Sequence, residues 1–162
     1  MKFKVREKIF SFRDDFTIKD ENDNDYFQVT GKIFTIGNKL HFKDMSGNEL
    51  LYIEQQLLKF LAEYNIYSKG KVVGKVKKKL TFFRSGFDII STYGNYEVDG
   101  DFFGYNFVIR KNGSVIATVS KKFFSFTDHY GVEIADNEEY IFILALVIVI
   151  DQVIHDNSGS NK

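Results

Sequence analysis

Seven basic residues and no acid lie between Asn65 and Phe87: Lys69, Lys71, Lys75, Lys77, Lys78, Lys79 and Arg84. In an extended chain successive side chains point to opposite faces, so Lys75, Lys77 and Lys79 share one face while Val72, Gly74, Val76 and Leu80 share the other. A row of ammonium groups backed by an apolar row can receive phosphate or an anionic lipid headgroup, with each basic residue near an anionic surface contributing about 1 kcal/mol. Lys75, Lys77, Lys78, Lys79 and Arg84 are therefore the candidate ligand-binding residues, with Phe82 and Phe83 as shallow membrane contacts. The plainer reading is a solvated face, or edge-strand lysines that block unwanted sheet pairing. The acids Asp14, Asp15, Asp20, Glu21, Asp23 and Asp25 would neutralise the row if the fold brought them close.

Other candidate chemistry is sparse. His41, His129 and His155 are far apart in sequence, and no pair has the spacing of a helical or hairpin metal site. The Asp20-x-Asn22-x-Asn24 run opens like a calcium loop, but Asp25 stands where the sharp turn needs Gly and Gly31 where a bidentate Glu is needed. Asp128-His129 has no nucleophile beside it and reads as a turn. The sequence holds no Gly-x-Ser-x-Gly, Walker loop or Gly-x-Gly-x-x-Gly. With no cysteine, thiolate metal sites and cysteine nucleophiles are excluded as well. The expectation is a non-enzymatic binding domain with no catalytic residue, no metal and no cofactor, although carboxylates that converge only in space would leave no motif.

The elements that carry these residues are short strands followed by one helix. Turn chemistry falls at Glu21 to Asp25, Gly37-Asn38, Ser46-Gly47-Asn48, Lys69-Gly70, Ser85-Gly86, Asp99 to Asp101 and Asn112-Gly113. Asn112-Gly113 predicts a type I′ hairpin, since both central residues need positive φ. A simple two-residue loop would set Ile109 opposite Ile116, Phe107 opposite Thr118 and Val108 opposite Ala117. From Tyr140 to Ile150 no residue is polar, so no face of a helix there could rest against water. A spanning helix needs roughly 20 apolar residues, and Asp151 and Gln152 end the run well short, which favours burial in protein. Asp136 with Glu139 has capping-box spacing for its start. The polar segment 156–162 reads as a disordered tail after a single domain of residues 1–155.

An internal echo runs through the strands. Phe27-Gln28-Val29-Thr30-Gly31-Lys32 resembles Tyr96-Glu97-Val98-Asp99-Gly100-Asp101, and the run from Gly47 to Leu57 lines up with that from Gly113 to Phe123. Gly70 to Leu80 is a weaker third copy. About twelve strands closing into a barrel would be too wide for their own side chains to fill, and the apolar helix would fill the space. This series, with its Val-x-Gly and turn-Gly-x-x-Leu/Ile patterns, resembles the LURP-one-related family, whose fold is similar to the tubby carboxy-terminal domain. The resemblance covers nearly the whole chain. It implies a mainly β, closed antiparallel barrel around one buried C-terminal helix. The family has no agreed biochemical activity; tubby domains bind phosphoinositides, and phospholipid scramblases are thought to share the fold. No tubby lipid-binding residue can be matched to a position here.

Lys plus Arg equals Asp plus Glu at 22 each in the 162 residues, so no global field draws in nucleic acid or membrane, and any such partner needs a local patch. The basic segment is the one such patch. It is not accompanied by a helix-turn-helix or similar reading element, which argues against nucleic acid. The start, Met1 to Lys8, lacks the apolar core of a secretory signal, giving the expectation of a cytoplasmic protein, peripheral to a membrane if the lysines meet anionic lipid headgroups. The competing readings are a protein-interaction or stress-associated scaffold with an unknown partner, and an enzyme without a recognisable motif.

Overall fold

The computed structural model describes residues 1–6, 15–32, 37–80, 85–123 and 128–159. Twelve strands run in chain order: β1 (Lys2–Arg6), β2 (Phe16–Asp20), β3 (Asp25–Lys32), β4 (Lys39–Asp44), β5 (Glu49–Gln55), β6 (Glu63–Ser68), β7 (Lys71–Leu80), β8 (Ser85–Ser91), β9 (Gly94–Asp101), β10 (Asn106–Lys111), β11 (Ser114–Ser120) and β12 (His129–Ile134). Each pairs antiparallel with its neighbours in sequence, and β1 pairs with β12, Phe3 opposite Val132, so the sheet closes into a barrel. Two expected breaks fall inside strands: Ser85-Gly86 opens β8, and Asp99 to Asp101 close β9.

The helix α1 (Tyr140–Gly159) runs through the barrel and fills it. Ile143 to Ile150 are all fully buried, against inward residues such as Phe42, Ile53, Ile66, Ile109 and Val132 from around the wall. A helix apolar on every side is stable only when enclosed on every side, which twelve strands achieve. Gly74 shows how close the fit is. A Cβ there would lie 2.6 and 2.7 Å from ring atoms of Phe142, so the wall thins to glycine where the helix presents a ring.

The helix begins differently from the expected capping box. The Glu139 carbonyl accepts the first helical bond, from Ile143 N–H at 3.0 Å, while Asp136 lies earlier and accepts from the Met1 ammonium at 3.1 Å. Its far end also differs. The helix continues to Gly159, into the segment that reads as a loose tail, and residues 160–162 lie outside the described ones.

The expected register of the Asn112-Gly113 hairpin is displaced. Both turn residues have positive φ, +51 and +81°, as the type I′ turn requires. A β-bulge then leaves Ile116 unpaired, setting Ile109 opposite Ala117, Val108 opposite Thr118 and Phe107 opposite Val119. An extra residue in one strand shifts every pair beyond it, and here it keeps Ala117 and Val119 turned inward. The same device recurs. Positive φ at Asp23, Gly47, Gly70 and Gly113 is followed three residues later by bulged Tyr26, Leu50, Val73 and Ile116. The internal echo is thus structural: one turn-and-bulge hairpin is used four times.

Two of these turns share a further feature. Asp20 accepts from Asn22 N–H, Asn24 N–H and the Asn24 amide at 2.8 to 3.0 Å, and Asp44 accepts from Ser46 N–H, Asn48 N–H and the Asn48 amide, all at 2.9 Å. The carboxylate that opened an apparent calcium loop is a turn staple. In each, the asparagine side-chain amide first, and then its backbone N–H, hold the carboxyl below its ordinary value of 3.8. A lowered folded value means the contribution to stability is complete above the unfolded pKa and is lost as pH falls through the folded one. The Asp20→Asn/Asp44→Asn double variant should therefore melt below wild type at about pH 6, with the gap narrowing toward about pH 2 as the wild-type carboxylates protonate. A gap in melting temperature that stays constant with pH would show that the charge is idle.

Candidate functional site

The antiparallel course gives the barrel two unlike rims. One holds the tight turns after β2, β4, β6, β8 and β10 together with the start of α1; the other gathers the ends of β5, β7, β9 and β11 and the carboxyl end of α1. The candidate lysines climb the outer wall on β7 toward this second rim.

Lys75 and Lys77 are exposed while Gly74 and Val76, which alternate with them, are buried, the pattern of a strand with one wet face. Beyond Lys77 the alternation fails, with Lys78 and Lys79 both half-buried and Leu80 62 % exposed instead of inward. The cause is local topology: β6 begins at Glu63, opposite Lys77, so the last residues of β7 run past it with β8 as their remaining strand neighbour. Arg84, Phe82 and Phe83 lie outside the described residues.

Acids do approach the row, but Asp20, Asp23 and Asp25 are engaged elsewhere, and Asp14 lies outside the described residues. Asp23 pairs with Lys4 and Asp25 with Lys19, each at 2.6 Å, and Asp20 is held in its turn. The partners are cross-strand neighbours. Glu63 lies 3.9 Å from Lys77 and 3.2 Å from Lys59, and Asp88 lies 2.9 Å from Lys79. The Asp88 carboxylate holds the Lys79 ammonium above its ordinary value. Two lysines thus share the Glu63 carboxylate, while Lys75 and Lys78 have no ion pair among the described residues. Exposed pairs are worth about 0–1 kcal/mol, so these acids lower the local potential without removing the ammonium groups from reach.

The three histidines stay apart. His41 contacts Glu49 and tilts against Tyr52 with centroids 5.0 Å apart; His129 meets Asp128 at 2.7 Å. His155 joins a cluster that the sequence did not reveal. The Tyr105 hydroxyl donates to Asp151 at 2.8 Å, and His155 Nε2 lies 2.6 Å from that hydroxyl and 3.1 Å from the carboxylate. Asp151 and Gln152 are inside the barrel, although their polarity suggested that the buried run ended before them. With the imidazole donating through Nε2, the tyrosine proton remains directed at Asp151, and the three side chains tie the turn after β9 to the helix. The one clue was the Asp151-to-His155 spacing of one helical turn.

The profile of LURP-one-related proteins matches residues 1–151. The chain belongs to the LURP-one-related family. A LURP-one-related domain thus accounts for all twelve strands and the buried run of α1. An uncharacterised protein of Bacillus subtilis (strain 168), YxjI, is 37% identical over 157 residues, which are 97% of this chain and 96% of that protein. The X-ray structure of a protein from Arabidopsis thaliana has a TM-score of 0.71 at 20% identity, over 94% of this chain and 90% of the other, a likeness of fold. The closed barrel around its helix is the architecture the family resemblance implied.

The LURP-one-related barrel also carries a feature absent from the list of sequence candidates. In the connection between β5 and β6, Leu57 is 52%, Leu58 104% and Phe60 99% exposed, and Phe103 in the turn after β9 is 72% exposed on the same rim. The clue was available: Leu57, Leu58, Phe60 and Leu61 occupy a segment with no Gly, Asn or Pro. No helix among the described residues is long and apolar enough to cross a membrane.

Proposed function

We propose that this LURP-one-related domain is a non-enzymatic binding module that recognises anionic phospholipid at a membrane surface through the outer face of β7. The observation that carries the reading is the charge on that wall, where Lys77 and Lys79 meet Glu63 and Asp88 from the flanking strands while the exposed Lys75 and the half-buried Lys78 have no ion pair among the described residues. Lys75 and Lys77 lie two residues apart on one face, roughly 7 Å, where two like charges in water repel by about 0.6 kcal/mol. A phosphate between them relieves that repulsion. With α1 filling the interior, recognition falls to the outer wall and the rims.

Replacing Lys75, Lys77 and Lys78 by Gln tests this. Wild type should sediment with phosphatidylserine-containing vesicles at low ionic strength, should lose that binding as salt approaches physiological levels, and should ignore neutral vesicles. The triple variant should sediment much less, with thermal stability within about 1 kcal/mol of wild type. Failure of the wild type to bind acidic vesicles at low salt would end the lipid reading.

A second reading, a protein-interaction scaffold, draws on a row of rings across the outside of β4, β5 and β6. His41, Tyr52 and Tyr67 stand side by side with centroids 5.0 and 5.7 Å apart, beside a depression of about 500 Å³ edged by Glu49, Glu54 and Lys69.

A further inference from the structure

We infer that the connection between β5 and β6, residues 56–62, is a membrane-inserting finger that carries Leu57, Leu58 and Phe60 into the acyl region of an acidic bilayer; this rests on the lipid reading of the β7 wall.

The connection is built. Gln56 N–H donates to Glu63 O at 2.8 Å and closes its base, Lys78 N–H donates to Ala62 O at 3.0 Å and fastens it to β7, and Lys59 reaches Glu63 at 3.2 Å. Within that frame Leu58 has a φ of +60°. Turn chemistry favours Gly or Asn at such an angle, because a γ-branched side chain there is strained. A leucine at the strained position, with nothing covering it, is explained by neither the turn nor the core. Among the described residues the large apolar side chains more than 70% exposed are Leu58, Phe60 and Phe103, and all three stand on one rim.

Charge selects the occupant. Lys59 sits between Leu58 and Phe60, and Lys77 and Lys78 run beside the base of the finger, so apolar tips are ringed by ammonium groups. Apolar side chains that enter the acyl boundary while cations meet phosphates are the pattern of an interfacial anchor. Among the described residues the most exposed large apolar side chains stand on this rim and not on the opposite one, and this sets which end of the barrel faces the lipid.

The sequence contains no tryptophan, so one placed at the tip reports alone. The Phe60→Trp variant, mixed at low salt with phosphatidylserine–phosphatidylcholine vesicles, should shift its emission to the blue and be quenched by brominated acyl chains. A Met45→Trp variant, on the opposite rim, should do neither while sedimenting equally. The Leu58→Ser/Phe60→Ser double variant should lose vesicle affinity by about tenfold or more per side chain with its melting temperature unchanged. If Phe60→Trp protein sediments with the vesicles but stays unquenched, the finger does not insert, although the lysine wall still binds lipid. Equal quenching at positions 60 and 45 overturns the orientation. Absence of sedimentation for wild type and both tryptophan variants overturns the lipid reading and the finger together.

Discussion

Leu146→Lys should yield no folded protein. Leu146 lies midway along the buried part of α1, is fully inaccessible, and has apolar neighbours on every side of the helix. An ammonium there has no counter-ion and no water, and an unpaired buried charge costs several kcal/mol against a total stability of roughly 5 to 15. Deprotonating the lysine removes the charge but still buries an amine without a partner. Leu146→Met, which conserves volume, should cost less than about 1.5 kcal/mol and remain soluble with a cooperative melt. The comparison is soluble yield and far-ultraviolet circular dichroism of the two variants. Folded, soluble protein from Leu146→Lys would show that α1 is not the enclosed core.

The second large effect is expected at Gly100, and the contrast with Gly113 separates its causes. Both have positive φ, +138 and +81°. A Cβ on Gly113 meets nothing within 4 Å, so Gly113→Ala carries conformational strain alone, about 1 kcal/mol. A Cβ on Gly100 would lie 2.6 Å from Phe107 Cα and 2.7 Å from the Asn106 carbonyl oxygen, both backbone atoms of β10 that cannot move without breaking the ladder. Gly100→Ala should cost about 3 kcal/mol or more. Gly31, its counterpart in the echo, has no positive φ and would meet the buried Leu40 side chain at 2.4 Å and the Lys39 carbonyl oxygen at 3.0 Å, a looser approach to backbone than at Gly100, so Gly31→Ala should fall between the two. Denaturant melts give the order, and a Gly100→Ala cost no larger than that of Gly113→Ala would refute the close strand approach.

These glycines also mark how far the sequence could be read. The Val-x-Gly echo was visible in the letters, and it proves to place Val29 and Val98 inward and Gly31 and Gly100 against the neighbouring strand. The helix was visible too, because only complete enclosure accommodates eleven successive apolar residues. The bulges were not visible, since Tyr26, Leu50, Val73 and Ile116 differ in type and each is marked only by a turn three residues earlier. Polarity misled at Asp151, whose buried carboxylate is met by Tyr105 and His155, and at Gln152, which is buried with no hydrogen bond to its side-chain amide among the described residues. For the lysines, alternation placed Lys75 and Lys77 on the wall. It could not foresee that Glu63 would meet Lys77 and Asp88 would meet Lys79 from the strands on either side, because pairing across a sheet is set by register and not by closeness in sequence.

The closure of β1 against β12, with α1 following both, sets the order in which the chain can become a protein. The first strand waits for the last, and the wall has nothing to pack against until the segment after Asp136 arrives. Such pairing between distant segments is slow, because the entropy of closing the largest loop precedes any reward from contact. During synthesis the strands leave the ribosome with their apolar side bare, the state in which sheets most readily stick to one another. The acquisition of α1 is then the committing step of folding, and chaperone demand should fall sharply once Tyr140 to Ile154 have been made.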